Sequence, residues 1–133
     1  MTRLSNVPHK TAECENLRTM YGGDDGFNLW FMGGQQPATQ AALSGALTNV
    51  IVKMQAQVAD GNGHHGMFWN DVSSGDTSLT WDTSQAVRGT VANTGTATYV
   101  VLARYDDDIT TSTTTKPREC FSIGTLATAD ITV

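Results

Sequence analysis

The sequence predicts a mainly β domain: an antiparallel two-sheet β-sandwich, jelly-roll-like or Ig-like, with an N-terminal arm or short helix in front of it. Three observations predict it. The chain has 133 residues, 13 of them Gly, and only 16% are charged, which suits one all-β domain with many tight turns. The stretch VRGTVANTGTATYVVLARY at 87–105 holds two strand-like runs joined by an Asn-Thr-Gly turn. Its second run is apolar on both faces, with Tyr99, Val101, Ala103 and Tyr105 on one side and Val100 and Leu102 on the other, the signature of a strand buried on both faces. Finally, about eight short strand candidates recur with turn signals roughly every ten residues, and no long helical patterns alternate with them, which argues against a parallel α/β fold.

The elements follow in order, with 1–25 read as the arm and 26–133 as the sandwich domain. Residues 1–25 are polar and end in GGDDG. Within them 11–21 predicts a short helix, with Thr11 as N-cap, Glu13 and Glu15 in the first turn, Leu17, Met20 and Tyr21 on one face, and Gly22 as the stop. A mobile or partner-bound arm is the other reading of this segment. Residues 27–32 (FNLWFM) predict a strand closed by Gly33-Gly34, and 37–43 a helical turn or ordered loop. Residues 48–58 alternate, placing Val50, Val52, Met54, Ala56 and Val58 on one face, with Ile51 as the exception. Short strands are expected at 67–70 and 78–81, then at 87–91 and 96–105. After the polar tip DDDITTSTTTKP, 118–123 returns as a strand, and 127–133 (ATADITV) is a final strand that ties the C-terminus into the sheet.

Charge and composition narrow the function. A net charge of −5 and scattered basic residues argue against a nucleic-acid partner, which needs clustered Lys and Arg. No apolar run of about 18 residues and no secretory leader pattern is visible, so no membrane association is expected. Cys14 and Cys120 are read as free thiols, since neither has a second Cys at metal-ligand spacing.

His64-His65 lies in the Gly-rich turn ADGNGHHG and reads as an exposed pair, because two imidazoles need a carboxylate or third ligand to make a site. Asp24-Asp25 and Asp106–Asp108 lack EF-hand spacing and read as solvated turns. There is no G-x-S-x-G elbow and no phosphate loop with its lysine, and Cys120 in a strand-like run reads as a small apolar side chain. No enzyme activity and no cofactor or metal are therefore expected. The aromatics carry more weight: Trp30, Trp69, Trp81 and Tyr99 sit in or beside predicted strands and are the candidate interaction residues. They fill the core, line a subunit contact, or form the platform of a carbohydrate-binding module used in host attachment.

The segment NLWFMGGQQPATQAALSGALTNVIVKM, the later Thr-Gly-Thr-Ala-Thr-Tyr strand and the terminal ATADITV resemble small virion structural proteins of tailed bacteriophages. The likeness spans residues 27–133, and its motifs fall at 33–42 and 94–99. It implies a β-rich virion subunit with no catalytic residues. Such a subunit is made in the host cytoplasm, is homo-oligomeric and is packed against capsid or tail proteins. A capsid decoration or cement protein is the expected role, with a tail, neck or baseplate component as the alternative. Symmetric assembly suits this, because repetition multiplies a weak contact.

Overall fold

The computed structural model describes residues 4–124 and 131–132. Its elements are α1 (Val7–Met20), a 3-10 turn (Gly23–Asp25), β1 (Phe27–Met32), α2 (Gln40–Ser44), β2 (Val50–Ala56), β3 (Val87–Val91), β4 (Tyr99–Arg104), β5 (Arg118–Gly124) and β6 (Ile131–Thr132). The protein is mainly β. A single sheet runs in the order β3-β2-β1-β4-β5, every adjacent pair antiparallel, and β6 pairs parallel to β5. Among the described residues there is one sheet, not the two of a sandwich. The strands expected at 67–70 and 78–81 shrink to isolated bridges, Phe27 with Met67 and Trp69 with Trp81. The stretch between them, 70–78 (NDVSSGDTS), is rich in Asn, Asp, Ser and Gly, which bond to their own turn in preference to a ladder, as Ser73 and Asp76 do here. Of the final strand expected at 127–133, residues 127–130 and 133 lie outside the described residues.

The two runs of 87–105 both become strands but are not neighbours. Two strands, β2 and β1, lie between β3 and β4. The connection crosses the ends of both: Ala92 N–H donates to Ile51 O (2.9 Å), Asn93 Nδ2 to Val50 O (2.9 Å), and Thr98 N–H to Met32 O (2.7 Å). The run that is apolar on both faces takes the interior position between β1 and β5, and Val100, Val101 and Ala103 are essentially fully buried.

The strand β2 departs from its sequence alternation. Met32 pairs with Val50, but Phe31 pairs with Val52, so Ile51 is an extra residue in β2. A bulge of this kind shifts the strand's face by one residue. Val50 therefore joins Met32 in the core, while Val52 and Met54 lie on the opposite face with Phe31 and Leu29. The residue that broke the alternation in the sequence is the one the ladder leaves out.

The helix α1 begins earlier than expected. Asn6, not Thr11, is the N-cap, its side chain accepting from His9 N–H (3.2 Å), and Pro8 sits in the first turn where its missing N–H costs nothing. The stop is as expected: Gly22 adopts φ +101° just past the Tyr21 cap. Only Cys14 is buried along α1, and Leu17 and Met20 are exposed. The helix is tied to its own chain, not extended from it: Arg18 donates to Asn70 O and pairs with Asp24 and Asp71.

The main core lies on one face of the sheet. Trp30, Met32, Val50, Tyr99, Val101 and Ala103 point into it, and Leu47 and Ile109 cover them from the connections 33–49 and 105–117. The second connection is polar, yet it is held by one buried ion pair. Arg118 and Asp107 are each 2% exposed at their side chains and meet through two bonds of 2.8 and 3.0 Å. Every guanidinium nitrogen is used, with further bonds to the carbonyls of Leu43, Gly45, Asp108 and Thr111. Breaking such a pair leaves an uncompensated buried charge. Arg118→Ala is expected to lower stability by about 3–5 kcal/mol, read as a drop in the urea midpoint. Arg118→Lys should recover little of it, because an ammonium cannot reproduce the two-pronged contact. A midpoint within about 0.5 kcal/mol of wild type for Arg118→Ala would show that the pair is not structural.

Candidate functional site

The four aromatic candidates divide into two groups. Trp30 and Tyr99 are core residues, 6% and 3% exposed. The Lys53 ammonium sits 4.5 Å from the centre of the Trp30 ring. Burial pulls the Lys53 pKa below the ordinary lysine value, partly offset by the Asp108 carboxylate. Lys53 and Trp30 border an open groove of about 570 Å³ that Leu47, Val50, Thr90 and Asn93 also line.

Trp69 and Trp81 form a joint at the other end of β1. Trp69 stacks on Phe27 with centroids 3.9 Å apart and planes at 25°, and Trp81 meets Phe27 edge-on at 6.2 Å and 79°. Trp69 Nε1–H donates to Tyr21 O at the end of α1 (2.9 Å). Both Trp residues are half-buried, and one face of Trp69 is taken up by the Phe27 ring. Tyr21 is buried beside this joint at 4% exposure. Burial first, and the Glu119 carboxylate second, push its phenol up to about 12.

The sheet face opposite the core is largely apolar, with Glu119 beside Leu102 and Arg104 beside Phe27 as its charged members. The pairings align Leu29 with Met54 and Leu102, Phe31 with Val52 and Val100, and Val100 with Phe121. Val100 is buried, but Leu29, Phe31, Val52, Met54, Leu102 and Phe121 are only half-buried. The helix α2 lies on the core side, where the Leu43 and Gly45 carbonyls accept from Arg118, and α1 lies against residues 70–76. Among the described residues β3 is an edge strand with one side of its ladder unpaired, and Val91 on it is 69% exposed.

A third arrangement was not visible in the sequence. Asp25, Asp60 and His64 come together with one ligand atom from each within 4.8 Å of the others. His64 Nδ1 stands 3.6 Å from Asp25 Oδ1 and 3.5 Å from Asp60 Oδ2. The loop sets this up. Asp60 Oδ1 accepts from the N–H groups of Asn62 (2.8 Å) and His64 (2.9 Å), leaving Oδ2 beside the imidazole. These backbone bonds, first that from His64, hold the Asp60 carboxyl below its usual range. Asp25 arrives from the 3-10 turn, and its carbonyl lies so close to Gly66 that a Cβ there would stand 2.0 Å from it. The Tyr105 ring is tilted against His64 at 4.4 Å. The chain neighbours of these residues, His65 and Asp24, are not part of the cluster. The available signal was the Asp-Gly-Asn-Gly-His turn, whose Asp side chain folds back onto the residue four positions on.

Cys14 and Cys120 are not joined in a disulfide. Among the described residues no helix is long and apolar enough to cross a membrane. No protein-family model, no curated protein and no solved structure matches this chain.

The Tyr21 environment predicts an alkaline limit. A phenol that holds its proton more tightly when folded stabilises the fold fully below its unfolded value of 10, and the contribution is lost as pH rises from 10 towards 12. Urea midpoints measured across that range should fall, and Tyr21→Phe should flatten part of the fall. An unchanged slope in Tyr21→Phe would assign the loss to other groups.

Proposed function

We propose that this protein is a structural subunit of a bacteriophage virion, and that it is a capsid-associated decoration or cement protein acting through contacts with capsid subunits and with copies of itself. The observation that supports this most is the apolar face of the sheet. Leu29, Phe31, Val52, Met54, Leu102 and Phe121 form a half-buried apolar patch on an antiparallel scaffold. Such a patch suits a protein–protein contact. The β3 edge offers a second, backbone-mediated contact of the kind extended segments add to. The two-layer packing that the sequence predicts would then be completed between subunits, one apolar sheet face laid on another about 10 Å away. The resemblance of residues 27–133 to small virion proteins of tailed phages agrees with this reading, and the packing of Trp69 and Trp81 against Phe27 disfavours the carbohydrate-binding alternative.

The test is the particle. Gold-labelled antibody should mark the heads of purified virions at many positions, and particles lacking the protein should lose heat or osmotic resistance while their tails remain normal. Phe31→Asp or Phe121→Asp should leave the isolated chain folded by circular dichroism and reduce its incorporation. Label confined to the tail, or shells equally robust without the protein, would overturn the capsid role.

A further inference from the structure

We infer that Asp25, Asp60 and His64 form a binding site for a divalent first-row transition ion of the zinc type, which clips the N-terminal helical segment to the loop after β2. The inference is independent of the virion reading. Its first support is spacing. Two ligand atoms each about 2.1 Å from a tetrahedral zinc stand about 3.4 Å apart. The His64 nitrogen lies 3.5 and 3.6 Å from the two carboxylate oxygens, too far for good hydrogen bonds and close to that separation. The second support is the imidazole itself. His64 Nδ1 has no contact with solvent and no hydrogen-bond partner, which is costly for a buried ring nitrogen and is resolved by a cation between it and the carboxylates.

The third support is preorganisation. Asp60 Oδ1 is occupied by two backbone N–H groups, which fixes Oδ2 towards His64, and the contact of Gly66 with the Asp25 carbonyl brings the 3-10 turn against the loop. The ligand set decides the ion class. One imidazole with two carboxylates suits a borderline ion, whereas calcium and magnesium take oxygen ligands. Asp25 and His64 keep 43% and 35% of their side chains exposed, so an ion has an entry path and a water can complete the shell. Residues 25 and 60 lie on separate elements, so an ion bound only by the folded chain stabilises it by mass action.

The experiment is thermal unfolding of the full chain, stripped with EDTA and titrated with zinc chloride, alongside calorimetric titration for stoichiometry. The expected result is one site per chain and a rise in Tm of about 5 °C or more at saturating zinc. Asp25→Asn and His64→Gln should abolish the rise. His9→Gln should retain it, which separates this site from the surface His9–Glu13 pair on α1. No zinc binding by the wild type overturns the inference whether or not the variants fold. So does a rise that His64→Gln keeps.

Discussion

The buried pair of Arg118 and Asp107 ties together α2, the connection 105–117 and β5. Each ion loses several kcal/mol of hydration on burial, and their attraction offsets that only when the remaining donors and acceptors are also satisfied. Arg118 meets the condition by donating from all three of its nitrogens, to Asp107 and to four carbonyls drawn from the end of α2 and from the connection before β5. The geometry is thus over-determined. Moving α2, the connection or β5 separately would strand a buried donor. This explains how DDDITTSTTTKP, with little apolar content, comes to cover a hydrophobic core. Ile109 is the apolar side chain this segment contributes to that core, and Leu47 N–H to Ile109 O (2.8 Å) and Thr113 N–H to Ser44 O (2.8 Å) zip it to the α2 connection.

With one face covered in that way, the two sides of the sheet acquire different characters. The core side is covered by two connections and an ion pair, and stays open at the groove where Lys53 reaches over Trp30. The other side is sealed at one end by the Phe27, Trp69 and Trp81 joint and is half-covered beyond it. The bulge at Ile51 is what creates this division in β2, because without it Val50, Val52 and Met54 would share a side.

Much of the fold was legible because it depends on local signals. The strands at β1, β4 and β5, the Gly22 stop and the β character of the chain follow from side-chain periodicity and turn chemistry, which act over a few residues. Sheet order was not legible. The runs on either side of the Asn-Thr-Gly turn look like consecutive partners, and only the long-range bonds of 92–98 to β2 and β1 place two strands between them. The Arg118–Asp107 pair was hidden for the same reason, since nothing near either residue in sequence announces the carbonyls that surround the guanidinium. At the N-terminus the miss was local: Asn6 and Pro8 form a stronger helix start than Thr11, whose hydroxyl instead bonds back to Val7 O (3.0 Å).

The site residues show the same division more sharply. Trp30 and Tyr99 lie where a core reading of strand aromatics puts them, and Trp69 and Trp81 are half-buried because the loops carrying them fold back onto Phe27. Asp25, Asp60 and His64 meet through a different logic. The Asp60 to His64 half is local, an Asx-type turn closed by the Asp60 N–H to His64 O bond (2.8 Å). The Asp25 half exists because Gly66, two residues past His64, has no Cβ to hold the 3-10 turn away. The same short stretch therefore supplies a ligand, its orienting backbone and the gap that admits the third carboxylate. Adding a side chain at residue 66 would push on the Asp25 backbone and so separate its carboxylate from the other two, leaving all three ligand side chains chemically unchanged.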